Sequence, residues 1–233
     1  MPTDSLVALV ATSDAVLFDF DGPICDVFAG MPAPGVAKAL SGIVAEQAPE
    51  FAPEAEATDD PMEVHRLSQL GGPSLLATVE SALTAAEVAA VAVAGPPIGG
   101  AVWALKAAHS TGRKVAVVSN NSAECVKVFL ALHSLDEFVH EVVGRPELNP
   151  ALMKPSPHPL LVASTTLGVA PARSVLVGDS VTDIEAAKAA GMHVIGFANK
   201  PPKRTALPSA GADAVIASME TLAKALARRI PGR

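Results

Sequence analysis

Aromatic rings are scarce in this sequence. They make up 3% of 233 residues, with seven Phe, one Trp and no Tyr. Base-stacking platforms are therefore lacking. Basic charge is also short: 17 Lys and Arg face 24 Asp and Glu, for a formal net charge of −7. Nucleic-acid binding leans on basic surface to neutralise phosphates, so no nucleic-acid partner is expected. The two cysteines, Cys25 and Cys125, form no disulfide framework. No positively charged segment opens Met1 to Val10, so no secretory leader is expected. No apolar run reaches about 18 residues free of polar and helix-breaking groups, so no membrane span is expected either. These absences together point to a cytoplasmic protein with reduced thiols.

Apolar side chains are plentiful. Hydrophobic residues make up 50% of the chain, which excludes general disorder. The length suits one large domain, or a core with a modest insertion.

Short continuous apolar runs recur, as in strands buried on both faces of a parallel sheet. The clearest are Ala15 to Phe20, Lys114 to Val118 and Ser174 to Val177. Weaker ones are Phe138 to Val143, His193 to Phe197 and Asp213 to Ile216. Helical patterns fall between them, over Ile98–His109, Ser122–His133, Pro157–Leu167, Val181–Ala190 and Met219–Arg229. Several stop at Gly, and Ser122 has the chemistry of an N-cap. Strand then helix, repeated, predicts βαβ units: an α/β fold with a doubly wound, Rossmann-like parallel sheet.

The stretch from Asp26 to Gly95 breaks that rhythm. It carries helical windows at Val36–Gln47, Pro61–Leu70 and Ser74–Ala94, divided by Pro/Gly clusters. Pro49 to Asp60 reads as a loop or a frayed helix end. An inserted helical domain over residues 26–95 is expected, with residues 1–25 and 96–233 forming the core and Gly95-Pro96-Pro97 as the return hinge.

Polar clusters sit where the apolar runs end. Asp19 and Asp21 close the first, Ser119 and Asn120 the second, and Asp179 and Asp183 follow the third. Lys154 lies in a Pro-bounded loop. Ligands of open parallel sheets bind outside the carboxyl ends of the strands. Several carboxylates crowded there repel one another unless a cation shares them, and oxygen-only ligands select Mg²⁺ over Zn²⁺. A hydroxyl, helix-start N–H groups and an ammonium bind phosphoryl oxygens. One aspartate can then attack phosphorus, and a second carboxyl can protonate the leaving alcohol.

In this order the motifs resemble those of the haloacid dehalogenase superfamily of phosphohydrolases. They are Asp19-Phe20-Asp21-Gly22, Ser119, Lys154-Pro155 and Gly178-Asp179-Ser180-Val181-Thr182-Asp183. The resemblance implies Asp19 as nucleophile and Mg²⁺ ligand. It implies Asp21 as general acid/base with its carbonyl on the metal, and Asp179 as a further ligand. Gly22, Ser119, Asn120 and Lys154 would hold the phosphoryl group, and Asp183 would orient Lys154 or a metal-bound water. One departure is Pro23, where many relatives have Thr; it removes a hydroxyl and an N–H.

The insertion matches the helical cap of the group that includes phosphoglycolate phosphatase, β-phosphoglucomutase and phosphonoacetaldehyde hydrolase. The implied activity is Mg²⁺-dependent hydrolysis of a small phosphorylated metabolite, by a monomer or homodimer. The alternatives are a phosphomutase, which keeps the phosphoryl group, and a non-catalytic binding protein of the same fold. A Schiff-base hydrolase would need a cap lysine, and Lys38 is the only lysine from Gly30 to Gly95. That stretch holds two basic residues, Lys38 and Arg66, against nine acidic ones. A neutral or hydroxyl-rich leaving group is expected. His65, Arg66 and Gln69 read as surface residues, Cys25 as a small buried one, and Trp103 as packed in its helix. His109, His133 and His140 have no metal-ligand spacing.

Overall fold

The computed structural model describes residues 4–228. The six forecast apolar runs form one all-parallel sheet: β1 (Ala15–Phe18), β2 (Lys114–Val118), β3 (Glu141–Val143), β4 (Ser174–Gly178), β5 (His193–Phe197) and β6 (Ala214–Ile216). The spatial order is β3-β2-β1-β4-β5-β6, so β1 is central. Phe18 lies beside Val117 of β2 and Val177 of β4, which aligns three strand ends. The order reverses at β1, and the crevice of a doubly wound fold opens there. All four β1 residues are fully buried because helices cover both sheet faces. One face packs Val16, Phe18, Val115, Val117, Val175 and Val177; the other packs Ala15, Leu17, Ala116, Val118 and Leu176. This is the alternation of a strand.

Helices α1 (Asp4–Ala11), α6 (Ala101–Ser110), α7 (Ala123–Leu132), α8 (His158–Leu167), α9 (Val181–Ala189), α10 (Lys203–Ser209) and α11 (Met219–Leu226) flank the sheet. The short α1 and α10 were not foreseen. Arg229, the forecast end of the last helix, lies outside the described residues. Buried Arg113 ties α1 to α11: Nη2 donates to Val10 O at 3.0 Å and Nη1 to Leu226 O at 3.1 Å. Carbonyls at helix C-termini carry partial negative charge and suit a cation. Trp103 differs from the expectation, being 64% exposed. Helix α6 buries Ala101, Ala104, Leu105 and Ala108, and Trp103 falls outside that stripe.

Between β1 and β2 run α2 (Ala33–Gln47), α3 (Ala52–Glu56), α4 (Pro61–Ser68) and α5 (Pro73–Val93). Val36, Leu40, Val44, Val64, Leu75, Val79 and Leu83 form a separate apolar cluster. Helix α5 belongs to two clusters: Leu75 to Leu83 pack in this one, Ala90 and Val91 in the main core. By length and composition α5 is apolar enough to cross a membrane, yet it buries Glu87 completely.

Candidate active site

The strand ends deliver side chains to one cavity of about 580 Å³. Asp19, Asp21, Ser119, Asn120, Lys154 and Asp179 line its floor; Phe28, Thr58, Asp59, Asp60 and Met62 line the side of the inserted helices. Each floor residue sits just past a strand or in a loop that strand packing fixes. Asp19 N still donates to Val177 O at 2.8 Å, so its backbone continues the sheet.

Lys154 is the centre. Its Nζ lies 2.7 Å from Asp19 Oδ1 and 2.6 Å from Asp183 Oδ1, and donates to Val118 O at 3.2 Å. Burial opposes its charge, but Asp183 and Asp19 outweigh that and hold the ammonium above its usual range. Asn120 clamps the same residue by its backbone: Nδ2 donates to Lys154 O at 3.1 Å and Oδ1 accepts from Lys154 N at 2.9 Å.

Asp183 is fully buried and saturated. Its Oδ2 accepts from Asp179 N, Ser180 N and Ser180 Oγ at 3.1, 3.1 and 2.7 Å. Ser180 and Asp183 form a capping box that starts α9. Burial opposes ionised Asp183, but Lys154 and the Ser180 donors keep its carboxyl below the usual range. Asp179 bonds Asn199 Nδ2 at 3.0 Å and also pairs with Lys203. Neither partner was singled out in the sequence: Asn199 lies in the loop after β5, and Lys203 starts α10, which was not foreseen.

Carboxylate oxygens of Asp19, Asp179 and Asp183 lie within 4.8 Å of one another. Burial and nearby Asp183 push Asp19 well above the usual carboxylate range, against the pull of Lys154. A cation would relieve that crowding, and an all-oxygen donor set fits a hard divalent ion. Asp183 has spent its oxygens on other donors, which leaves Asp19 and Asp179 as the side chains free to ligate directly. Asp21 stands apart: it is exposed toward the cavity, its Oδ1 accepts from Val27 N at 3.0 Å, and partial desolvation pushes its carboxyl up to about 6.

Gly22 does not match its expected part. Its N–H donates to Cys25 O at 2.7 Å, so it is not free for phosphate. Its φ is +100°, and a Cβ there would lie 2.2 Å from Asp179 Oδ2. Glycine is needed because motif one and Asp179 touch at this point.

A family model for haloacid dehalogenase-like hydrolases matches residues 13–191. The chain belongs to this family. The plasmid phosphoglycolate phosphatase of Cupriavidus necator is 38% identical over 122 residues, 51% of this chain and 50% of that protein. The matching part thus spans about half of that relative. The fold matches CbbY from Rhodobacter sphaeroides, solved with phosphate, at a TM-score of 0.66 and 23% identity over 89% of this chain and 95% of that one. It also matches a HAD family hydrolase from Deinococcus radiodurans, solved with phosphate and sodium, at 0.60 and 26% identity over 92% and 97%.

In this haloacid dehalogenase-like chain the helical insertion and the strand ends line one cavity. Of the three insertion residues read as surface, exposed Gln69 and partly exposed Arg66 fit that reading and His65 does not. His65 is wholly buried, with Nε2 2.7 Å from Glu80 Oε2. Arg66 is partly exposed beside Glu63. Cys25 is buried as expected. Arg145, which no motif marks, is buried beside Asn120 and is taken up below.

Proposed function

We propose that this chain is a Mg²⁺-dependent phosphatase that hydrolyses a small phosphomonoester through an aspartyl-phosphate on Asp19. The observation that carries the reading is Lys154 Nζ, held between Asp19 and Asp183 at 2.7 and 2.6 Å on the cavity floor. An ammonium so placed orients one Asp19 oxygen and leaves the other to attack. Asp19 forms the new O–P bond as the bond from phosphorus to the leaving oxygen breaks. Protonated Asp21 gives its proton to that leaving oxygen. Asp21, now a carboxylate, takes a proton from water as the water oxygen attacks phosphorus and frees Asp19. Ser119 Oγ and the Asn120 N–H hold the phosphoryl oxygens throughout, and the Lys154 ammonium, whose N–H groups are engaged by Asp19, Asp183 and Val118 O, offsets their charge from close by. Asp19, Asp179 and the Asp21 carbonyl would hold Mg²⁺, with Asp183 behind them; the ion offsets charge on the transferring group.

Residues 26–95 act in this reading as a cap over a core of 1–25 and 96–233. The cap chooses the leaving group and excludes water. Its cavity wall offers Thr58, Asp59 and Asp60 and no lysine or arginine. A second anion on the substrate would meet carboxylates there. The leaving group is therefore neutral or hydroxyl-rich, and phosphoglycolate, named for the relative above, is a poor fit. Two buried cysteines without a disulfide suit the cytoplasm.

The test is phosphate release from sugar phosphates, polyol phosphates, phosphoglycolate and a bisphosphate, with Mg²⁺, with EDTA and with Asp19→Asn. Turnover that needs Mg²⁺ and Asp19, highest on polyol or sugar monophosphates, is expected. A bisphosphate ranked first would sink the substrate class. No release from any substrate by folded protein would sink the phosphatase.

A further inference from the structure

The phosphoryl-binding loop is held from beneath by charges that the proposed chemistry does not use. Arg145 follows β3, and its guanidinium is entirely buried. Its five N–H donors meet five oxygens. Nε donates to Glu80 Oε1 at 2.7 Å. Nη1 donates to Glu87 Oε1 at 2.8 Å and Asn120 O at 3.0 Å. Nη2 donates to Thr84 Oγ1 at 3.1 Å and Glu87 Oε2 at 3.4 Å. Residues 80, 84 and 87 share one face of α5 at helical spacing.

Glu87 continues the chain of contacts into the loop. Its Oε1 accepts from Asn121 Nδ2 at 3.1 Å and its Oε2 from Ser122 N at 2.9 Å. A carboxylate can only accept, so it fixes which end of the Asn121 amide faces it. The other end, Oδ1, then accepts from Ser119 Oγ at 3.1 Å. Asn121 N donates to the same hydroxyl oxygen at 3.0 Å. Ser119 Oγ is thus located by two contacts, one of which depends on the orientation that Glu87 imposes.

Burying such charges is costly, and an apolar cluster of similar volume is often as stable or more so. The bonds converge on the residues that set Ser119 and Asn120, which assigns the cost a purpose. We propose that Glu87, anchored by Arg145, is a positioning residue for phosphoryl binding: its bonds to Asn121 Nδ2 and Ser122 N fix the loop, so that the Asn120 N–H and Ser119 Oγ stay at the cavity and the Ser119 proton, here on Asn121 Oδ1, has only to turn to reach a phosphoryl oxygen. The loop is tied by the same pair to α5, the helix shared by the insertion and the core. This inference rests on reading Ser119 and Asn120 as phosphoryl ligands.

The probe is inorganic phosphate with saturating Mg²⁺, titrated calorimetrically into wild type, Glu87→Gln and Glu80→Gln well below their melting temperatures. Both substitutions remove one carboxylate from Arg145, but only Glu87 touches the loop. Glu87→Gln is expected to weaken phosphate about tenfold, since a small misplacement of binding groups is costly. Glu80→Gln is expected to change it less than threefold. If Glu87→Gln does not fold, Asn121→Ala leaves the Glu87–Arg145 pair intact and carries the same tenfold expectation. Unchanged affinity in Glu87→Gln or its substitute, or equal losses in both carboxylate variants, overturns the positioning role. Wild type that binds no phosphate overturns the phosphoryl-ligand reading itself, and this inference with it.

Discussion

The two sides of the cavity are built differently. The floor hangs from parallel strand ends whose backbone is tied on both sides, and at its centre Lys154, Asp19 and Asp183 are buried and paired. Lys154 and Asp19 have side chains 3% and 10% exposed. The opposite wall is the Thr58-Asp59-Asp60 turn between short helices, where Asp59 and Asp60 are exposed. Asp60 spends one oxygen on capping α4, accepting from Met62 N at 2.9 Å. In the proposed function, the groups that act on every substrate lie where the fold leaves least freedom, and those that meet the variable part of the substrate lie where a change disturbs little packing.

The comparison breaks first at the floor. Asp19→Asn should lower turnover at least about 1000-fold on every substrate alike, because an amide cannot form the acyl phosphate. Steady-state kinetics on two unlike leaving groups checks this; a loss that depended on the leaving group would place Asp19 in selection. Next in size, Lys154→Met should cost about 3–5 kcal/mol in urea denaturation without Mg²⁺, since Asp19 and Asp183 lose their shared cation in a buried setting. Adding Asp183→Asn should recover part of it.

The wall should respond in ranking instead of rate. Asp59→Lys should raise kcat/KM for phosphoglycolate about tenfold relative to a polyol phosphate, which is about 1.4 kcal/mol of discrimination. A similar change on both substrates would remove Asp59 from selection. The smallest effect concerns the seam between the two sides. Burial pushes Glu80 up, but His65 and Arg145 outweigh it and hold Glu80 below its ordinary value of 4.5. Its charge therefore stabilises the fold fully above about pH 4.5 and loses that contribution as pH falls through the lowered value. Wild type should exceed Glu80→Gln by about 1 kcal/mol at pH 6, with the gap closing toward pH 3 in urea midpoints. A gap that stays constant with pH would make the role one of shape alone.

Much of the fold was legible because strands buried on both faces leave continuous apolar runs. Val115 to Val118 and Val175 to Val177 are such runs. Helix ends were legible where Ser122 and Ser180 cap them through their own hydroxyls. Less visible were α1 and α10, which span only eight and seven residues, α10 with Pro208 inside it. His65 and Arg145 were misjudged or passed over for a related reason. A buried ion is recognised by its partners, and Glu80 and Glu87 are distant from Arg145 in sequence. The resemblance implied a phosphate role for Gly22, but the structure shows instead that the Asp179 carboxylate comes close to it.

By itself the sequence determined the class of fold, the family, and the residues Asp19, Asp21, Ser119, Lys154, Asp179 and Asp183 as one set. Those follow from local matters: periodicity, capping and short motifs at strand ends. Only the tertiary structure decided that Asp183 is saturated behind Lys154, that Asn199 and Lys203 reach Asp179, and that Arg145 joins α5 to the loop after β2. Each of these is a contact between charges or dipoles far apart along the chain. Their energy depends on distance and burial, which spacing in a sequence does not carry.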